Sequence, residues 1–160
     1  MKLPANLGSV PWITADGALD LAELPIDSIL RQTLSPEFEG FRSACILLGS
    51  MATRTREEAG VYLIGLLRYY GSDLRRLEVI AEELAHFPRE PSTDALLAEF
   101  RRVKSSNTTR RYLDRVLQSL TRLPPHLVDA GLRDLADDTS FSPKMRAKFR
   151  DALERIRWGA

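Results

Sequence analysis

Residues 110–120 read Arg110-Arg111-Tyr112-Leu113-Asp114-Arg115-Val116-Leu117-Gln118-Ser119-Leu120, and the spacing of Leu113, Val116, Leu117 and Leu120 decides the fold. Apolar residues at i, i+3, i+4 and i+7 line one side of an α-helix, whereas a half-buried strand would alternate. The same quartet stands 36 residues upstream as Leu77, Ile80, Ala81 and Leu84, and 36 further up as Phe41, Ala44, Cys45 and Leu48. It returns 36 residues downstream as Phe149, Ala152, Leu153 and Ile156, so all sixteen positions are apolar. Any amphipathic helix matches the spacing; the constant offset over four copies is the signal of an internal repeat. Preceding helices repeat more loosely. Leu63, Leu67 and Tyr70 map onto Leu96, Phe100 and Val103 after 33 residues, and Leu132 and Leu135 follow after 32. The turns at Gly71-Ser72, 104–106 and 138–141 lengthen to absorb the difference.

The breaks between these stripes carry helix-start chemistry. Each of the nine prolines falls outside a helix or in a first turn, and 92–123 contains neither Gly nor Pro. Ser35-Pro36 and Ser142-Pro143 place a capping hydroxyl before a first-turn proline, Thr55 with Glu58 forms a capping box, and Ser72, Ser92 and Asn107 stand at N-cap positions. The spacing predicts eight helices, near 26–34, 36–50, 55–70, 72–87, 92–104, 107–123, 125–137 and 143–158. The fold class is all-α. Residues 1–24 read as irregular, with a short extended pair around Ala15-Asp16-Gly17.

Composition narrows the function. The chain has 160 residues, 44% hydrophobic and 28% charged, with a formal net charge of +1, which suits an ordinary globular domain and not a bulk polyanion binder. A single cysteine excludes a disulfide framework and a cysteine-based zinc site, and Cys45 on an apolar stretch reads as a buried, inert thiol. The opening residues lack the apolar run of a secretory signal, and no window approaches 18 consecutive apolar residues. Cytoplasm is therefore the expected location, with no membrane partner, and Asn107-Thr108-Thr109 is read as a cap and not as a glycan acceptor. His86 and His126 lie 40 residues apart in His-Phe-Pro and Pro-Pro-His-Leu contexts, without metal-ligand spacing. Asp134, Asp137 and Asp138 lack the spaced oxygens and glycine of a calcium loop. No phosphate-cradling Gly-rich loop or nucleophile elbow occurs. No catalytic residue, metal or cofactor is expected.

Helix pairs every 33–36 residues cannot bury their apolar sides alone and must stack on one another. Tetratricopeptide repeats need small residues where helices touch, yet those positions hold Ile64, Arg76 and Glu83 in one register and Phe100, Tyr112 and Ser119 in the next. Second helices that open Gly-Ser-Asp73-Leu-Arg75-Arg76 and Ser-Ser-Asn107-Thr-Thr-Arg110-Arg111 resemble HEAT/armadillo-like repeats. The fourth pair departs from the pattern, with Ser142 as cap and Arg146 as its only matching arginine. The resemblance spans roughly 26–158 and implies a right-handed α-α superhelix of about four helix pairs in 25–160, with 1–24 capping the first repeat. Leu3, Leu7, Val10, Trp12, Ile13, Leu19 and Leu21 are expected to fold back onto the first pair, Trp12 being the anchor.

The resemblance also implies that second helices line a concave groove. Helical geometry puts Glu39, Ser43, Ile46 and Ser50 opposite the stripe in the first pair, and Arg75, Val79, Glu82 and His86 in the second. Arg111, Arg115, Gln118 and Arg122 follow in the third, then Ala147, Asp151, Glu154 and Trp158. A phosphate track would carry one sign throughout; here a basic row lies between a mixed row and an acidic row ending in Trp158. Such a floor suits a protein or peptide, because charge pattern sets specificity and Trp and Arg serve as anchors. The expected function is a non-enzymatic interaction module, a scaffold, adaptor or inhibitor. Its partner-binding residues would be Arg75, Glu82, His86, Arg111, Arg115, Gln118, Arg122, Asp151, Glu154 and Trp158. The alternative is nucleic-acid binding through 101–122, where seven basic side chains face one acidic residue, Asp114. Neither reading fixes the oligomeric state.

Overall fold

All sixteen stripe positions are buried, none more than 7% exposed. The structure, a computed structural model, describes residues 10–54 and 56–158, without the side chain of Trp158. Among the described residues lie eight α-helices: α1 (Ile26–Thr33), α2 (Phe38–Arg54), α3 (Glu57–Tyr70), α4 (Leu74–Leu84), α5 (Glu90–Arg102), α6 (Arg110–Leu120), α7 (Pro125–Asp137) and α8 (Pro143–Trp158). The chain is all-α, as the period requires.

Starts follow local hydrogen-bond chemistry. Ser142 caps α8, its Oγ accepting the Met145 N–H at 3.2 Å. Asp73, not Ser72, caps α4 by accepting the Arg76 N–H at 3.2 Å. The α6 helix starts later than the sequence predicts. The Ser106 N–H donates to Thr109 Oγ1 at 2.9 Å and the Thr109 N–H donates back to Ser106 Oγ at 3.2 Å, a turn that competes with helix. Asn107 caps nothing; its Oδ1 accepts from the Arg110 guanidinium. Ser92 sits inside the first turn of α5, its hydroxyl donating to the Phe87 and Arg89 carbonyls. The capping box at Thr55 lies outside the described residues.

Within successive pairs, α1 packs on α2, α3 on α4, α5 on α6 and α7 on α8. Between pairs, α2 packs on α4 and α4 on α6, while α3 packs on α5 and α5 on α7. One hydrophobic cluster runs from Leu24 and Ile29 to Leu153 and Ile156. Two polar pins cross it. Arg76 donates to the Tyr70 hydroxyl at 3.0 Å and to the Pro36 carbonyl at 2.9 Å, and Tyr70 donates in turn to the Thr33 carbonyl. One repeat later, the fully buried Tyr112 donates to Glu99 Oε2 at 2.6 Å, and Arg102 closes on the same carboxylate.

At the N-terminal end, Ile13 and Leu19 form an isolated antiparallel bridge around a turn in which Gly17 has φ +85°. Trp12 and Leu21 are partly buried against the cluster and Leu24 is buried in it. Leu19 departs from the expected fold-back: it is 49% exposed, on the outer side of the turn. Leu3 and Leu7 lie outside the described residues.

Candidate functional site

The packing of α2 on α4 and of α4 on α6 leaves one side of these three helices facing solvent together. Between α2 and α4 that side opens into a cleft of about 340 Å³. Arg42, Ile46, Ser50 and Thr53 form one wall, and Val79, Glu82, Glu83 and His86 the other. Thr53 closes one end, its hydroxyl donating to the Gly49 carbonyl at 2.9 Å and the His86 carbonyl at 3.1 Å. Ile46 is 43% exposed here, an apolar side chain on a polar surface.

Glu83 is the unusual group. Its carboxyl lies over Gly49, with no ion pair or side-chain hydrogen bond among the described residues. Burial, and then the neighbouring charge of Glu82, push its pKa up to about 7, against the opposing pull of Arg42. It therefore titrates near neutrality, charged enough to attract a cation and neutral enough to accept or donate a hydrogen bond. Cys45 beneath it is fully buried, and burial pushes the thiol up to about 12, so it is inert as expected.

Beyond the cleft the surface is a lattice of alternating charge. Arg111 Nε stands 3.0 Å from Glu78 Oε2, and Glu82 Oε1 lies 3.5 Å from Arg115 and 3.8 Å from Arg122. Lys148 pairs with Asp114 at 2.5 Å, joining α8 to α6. Each pair has at least one side chain well exposed to water, so each contributes about 0–1 kcal/mol. Their consequence is electrostatic: Glu78 and Glu82 offset part of the positive charge of Arg111, Arg115 and Arg122 from within the molecule.

Of the residues singled out in the sequence, Glu82, Arg115, Gln118 and Arg122 come together, the Arg115 guanidinium donating to Gln118 Oε1 at 3.0 Å. His86 stands exposed at the end of α4 and Arg111 on the exposed first turn of α6. Arg75 stacks on the Phe38 ring at 3.6 Å. Asp151 and Glu154 are exposed on α8, without an ion pair among the described residues. The side chain of Trp158 lies outside the described atoms. Sequence reasoning passed over Glu83, Glu78 and Arg42. One signal for Glu83 was present: it follows Arg76 by seven residues, on the edge of the α4 stripe.

Among the described residues no group of three or more His, Cys, Asp or Glu converges as a metal site, and no helix is long and apolar enough to cross a membrane. Set against known protein families, curated proteins and solved structures, the chain matches none.

Proposed function

We propose that this chain is a non-enzymatic interaction module of the cytoplasm, a scaffold, adaptor or inhibitor that grips a partner protein or peptide along the shared side of α2, α4 and α6. In this reading the helix pairs form a right-handed HEAT-like superhelix and that side is its groove. The packing of second helix on second helix and first helix on first helix supports it. The observation that carries the function is the cleft beside the charge lattice. An exposed Ile46, a half-buried Glu83 without an ion-pair partner among the described residues and the Glu82–Arg115–Arg122 cluster offer apolar, acidic and basic contacts within one footprint. Such mixed complementarity selects a partner surface more than it attracts polyanions. Nucleic-acid binding has less support, because Arg111, Arg115 and Arg122 already face Glu78 and Glu82.

Affinity purification from the native cell tests this, at two salt concentrations and with and without nuclease. A partner that survives nuclease and is lost when Arg111, Arg115 and Arg122 are changed to Glu supports the reading. Retention of every partner by that triple variant removes the groove from it. A partner that vanishes with nuclease or steeply with salt favours nucleic acid.

A further inference from the structure

A second concavity lies between the turn after α5 and the turn before α8, with Leu113 of α6 in its lining. It measures about 570 Å³, within the roughly 300–1,000 Å³ range of small-molecule sites. Its apolar lining is led by the partly exposed Val103 and Phe141, Phe141 packing edge-on against Phe149, with only the edges of the buried Phe100, Leu113 and Met145 reaching the opening. Its rim is cationic. Arg101 and Lys104 stand over it, with no ion pair among the described residues, and the hydroxyl residues Ser105, Ser140 and Ser142 lie between and opposite them. A smaller adjoining hollow shares Leu113 and Met145 and adds Arg110 and Lys144. Arg102 is committed elsewhere, to Glu99 and the Gly71 carbonyl.

Two acids border the region. Asp114 is paired with Lys148. Asp138 accepts the Ser140 N–H at 2.9 Å, and the Ser140 hydrogen bonds, with a smaller pull from Arg101, hold its carboxyl below the usual range. The surplus charge over the apolar floor is therefore positive. The first turn of α8 also borders the cavity through Ser142 and Met145, adding the positive end of a sixteen-residue helix.

We propose that this cavity binds a small amphipathic anion: a carboxylate, held by Arg101 and Lys104, on a short aliphatic body seated against Val103, Phe141 and the edge of Met145. A purely polar anion gains nothing from the apolar lining, and a neutral alkane chain gains nothing from Arg101 and Lys104. Only a ligand with both parts uses both surfaces. The site shares no lining residue with the cleft between α2 and α4.

The chain holds three methionines, of which Met145 lines this cavity and Met51 is fully buried in α2. Protein labelled with ¹³C at the methionine methyl groups and titrated with octanoate reports the site directly. The Met145 methyl is expected to shift saturably while Met51 stays still. Acetate and octanol are expected to bind at least about tenfold more weakly than octanoate, since each lacks one half of the contact. Arg101→Glu with Lys104→Glu is expected to weaken octanoate by about tenfold or more. The same charge change at Arg31 and Arg68, both exposed and outside the cavity lining, is expected to leave it unaltered. Arg101→Gln with Lys104→Gln gives the same contrast should the double glutamate melt early. An unmoved Met145, octanol equal to octanoate, acetate equal to octanoate, or equal losses at both arginine sets would each overturn the proposal.

Discussion

The carboxyl of Glu83 fills the space that a side chain at Gly49 would need: a Cβ there would stand 2.2 Å from Glu83 Oε2. Gly60 has the same relation to Phe87, whose ring would lie 2.3 Å from an added Cβ. The two close approaches differ in what can yield. A carboxylate at the end of a flexible stem swings toward the open cleft, whereas the Phe87 ring is buried and has nowhere to go. Gly60→Ala is therefore expected to destabilise the fold by about 1–3 kcal/mol through overpacking. In Gly49→Ala the helix-propensity gain of about 1 kcal/mol offsets the displaced carboxyl, leaving stability nearly unchanged. Urea unfolding of both variants checks the contrast, and equal losses would refute it.

The raised pKa of Glu83 makes stability depend on pH in a stated direction. The folded state favours the protonated carboxyl, so its contribution is complete below the ordinary value of 4.5 and is lost as pH rises through about 7. Arg42 on α2, Glu82 on α4 and His86 just after it border the same cleft, and Arg115 on α6 and Arg122 just after that helix reach Glu82. Glu83→Gln removes the titration. The variant is expected to exceed the parent by about 1–2 kcal/mol near pH 8, a figure reduced for the solvent in the half-open cleft, and to match it near pH 4. Parallel stability curves for the two proteins across that range would show that Glu83 titrates as an ordinary surface carboxylate.

Tyr112 and Glu99 carry a different kind of stability. Both are buried, and the 2.6 Å hydrogen bond between them supplies one of the donors to a carboxylate shielded from water. Tyr112→Phe is expected to cost about 1–3 kcal/mol, because it leaves that oxygen short of a partner. Glu57→Ala breaks an exposed pair with Arg89 whose geometry is equally good, at 2.7 Å and 3.0 Å, and is expected to cost less than about 1 kcal/mol. Thermal melts rank the two. A reversed order would mean that burial is not what gives the Tyr112 contact its weight.

The helices were legible because burial and the 36-residue offset act on the same residues, from Phe41 to Ile156. Where side chains compete with the backbone, legibility fails: Ser106 and Thr109 hold each other and push the start of α6 to Arg110. Arg76 and Tyr112 occupy the same repeat position and both are buried, yet neither reads as core from a hydrophobicity pattern. Their partners, the Thr33 and Pro36 carbonyls reached through or by Arg76 and the carboxylate of Glu99, come from neighbouring elements. The candidate face was half legible. Helical geometry on one helix lists Glu82, Arg115 and Arg122, but their pairing across α4 and α6 depends on the register between helices. Glu83 escaped for the same reason, since its burial is set by how closely α2 approaches at Gly49.

The N-terminal segment carries the last prediction. An end helix as short as α1 leaves the apolar side of the first pair in need of cover. Trp12 and Leu21 pack against the hydrophobic cluster, Leu24 is buried in it, and Arg56 at the start of α3 donates to the Leu24 carbonyl at 2.6 Å. Full burial of a Trp contributes roughly 2–3 kcal/mol, so the partly buried Trp12 accounts for about 1–2 kcal/mol. Trp12→Ala is expected to lose that amount, and Arg56→Ala about 1–3 kcal/mol by releasing the Leu24 carbonyl. If both act by seating one segment, their effects are not independent. The double variant should then lose less than the two separate losses together, by more than about 0.5 kcal/mol. Deletion of 1–24 should lower the melting temperature by at least as much as the double variant. An unchanged melting temperature after that deletion, or strict additivity of the two substitutions, would make the segment an arm that the first pair does not need.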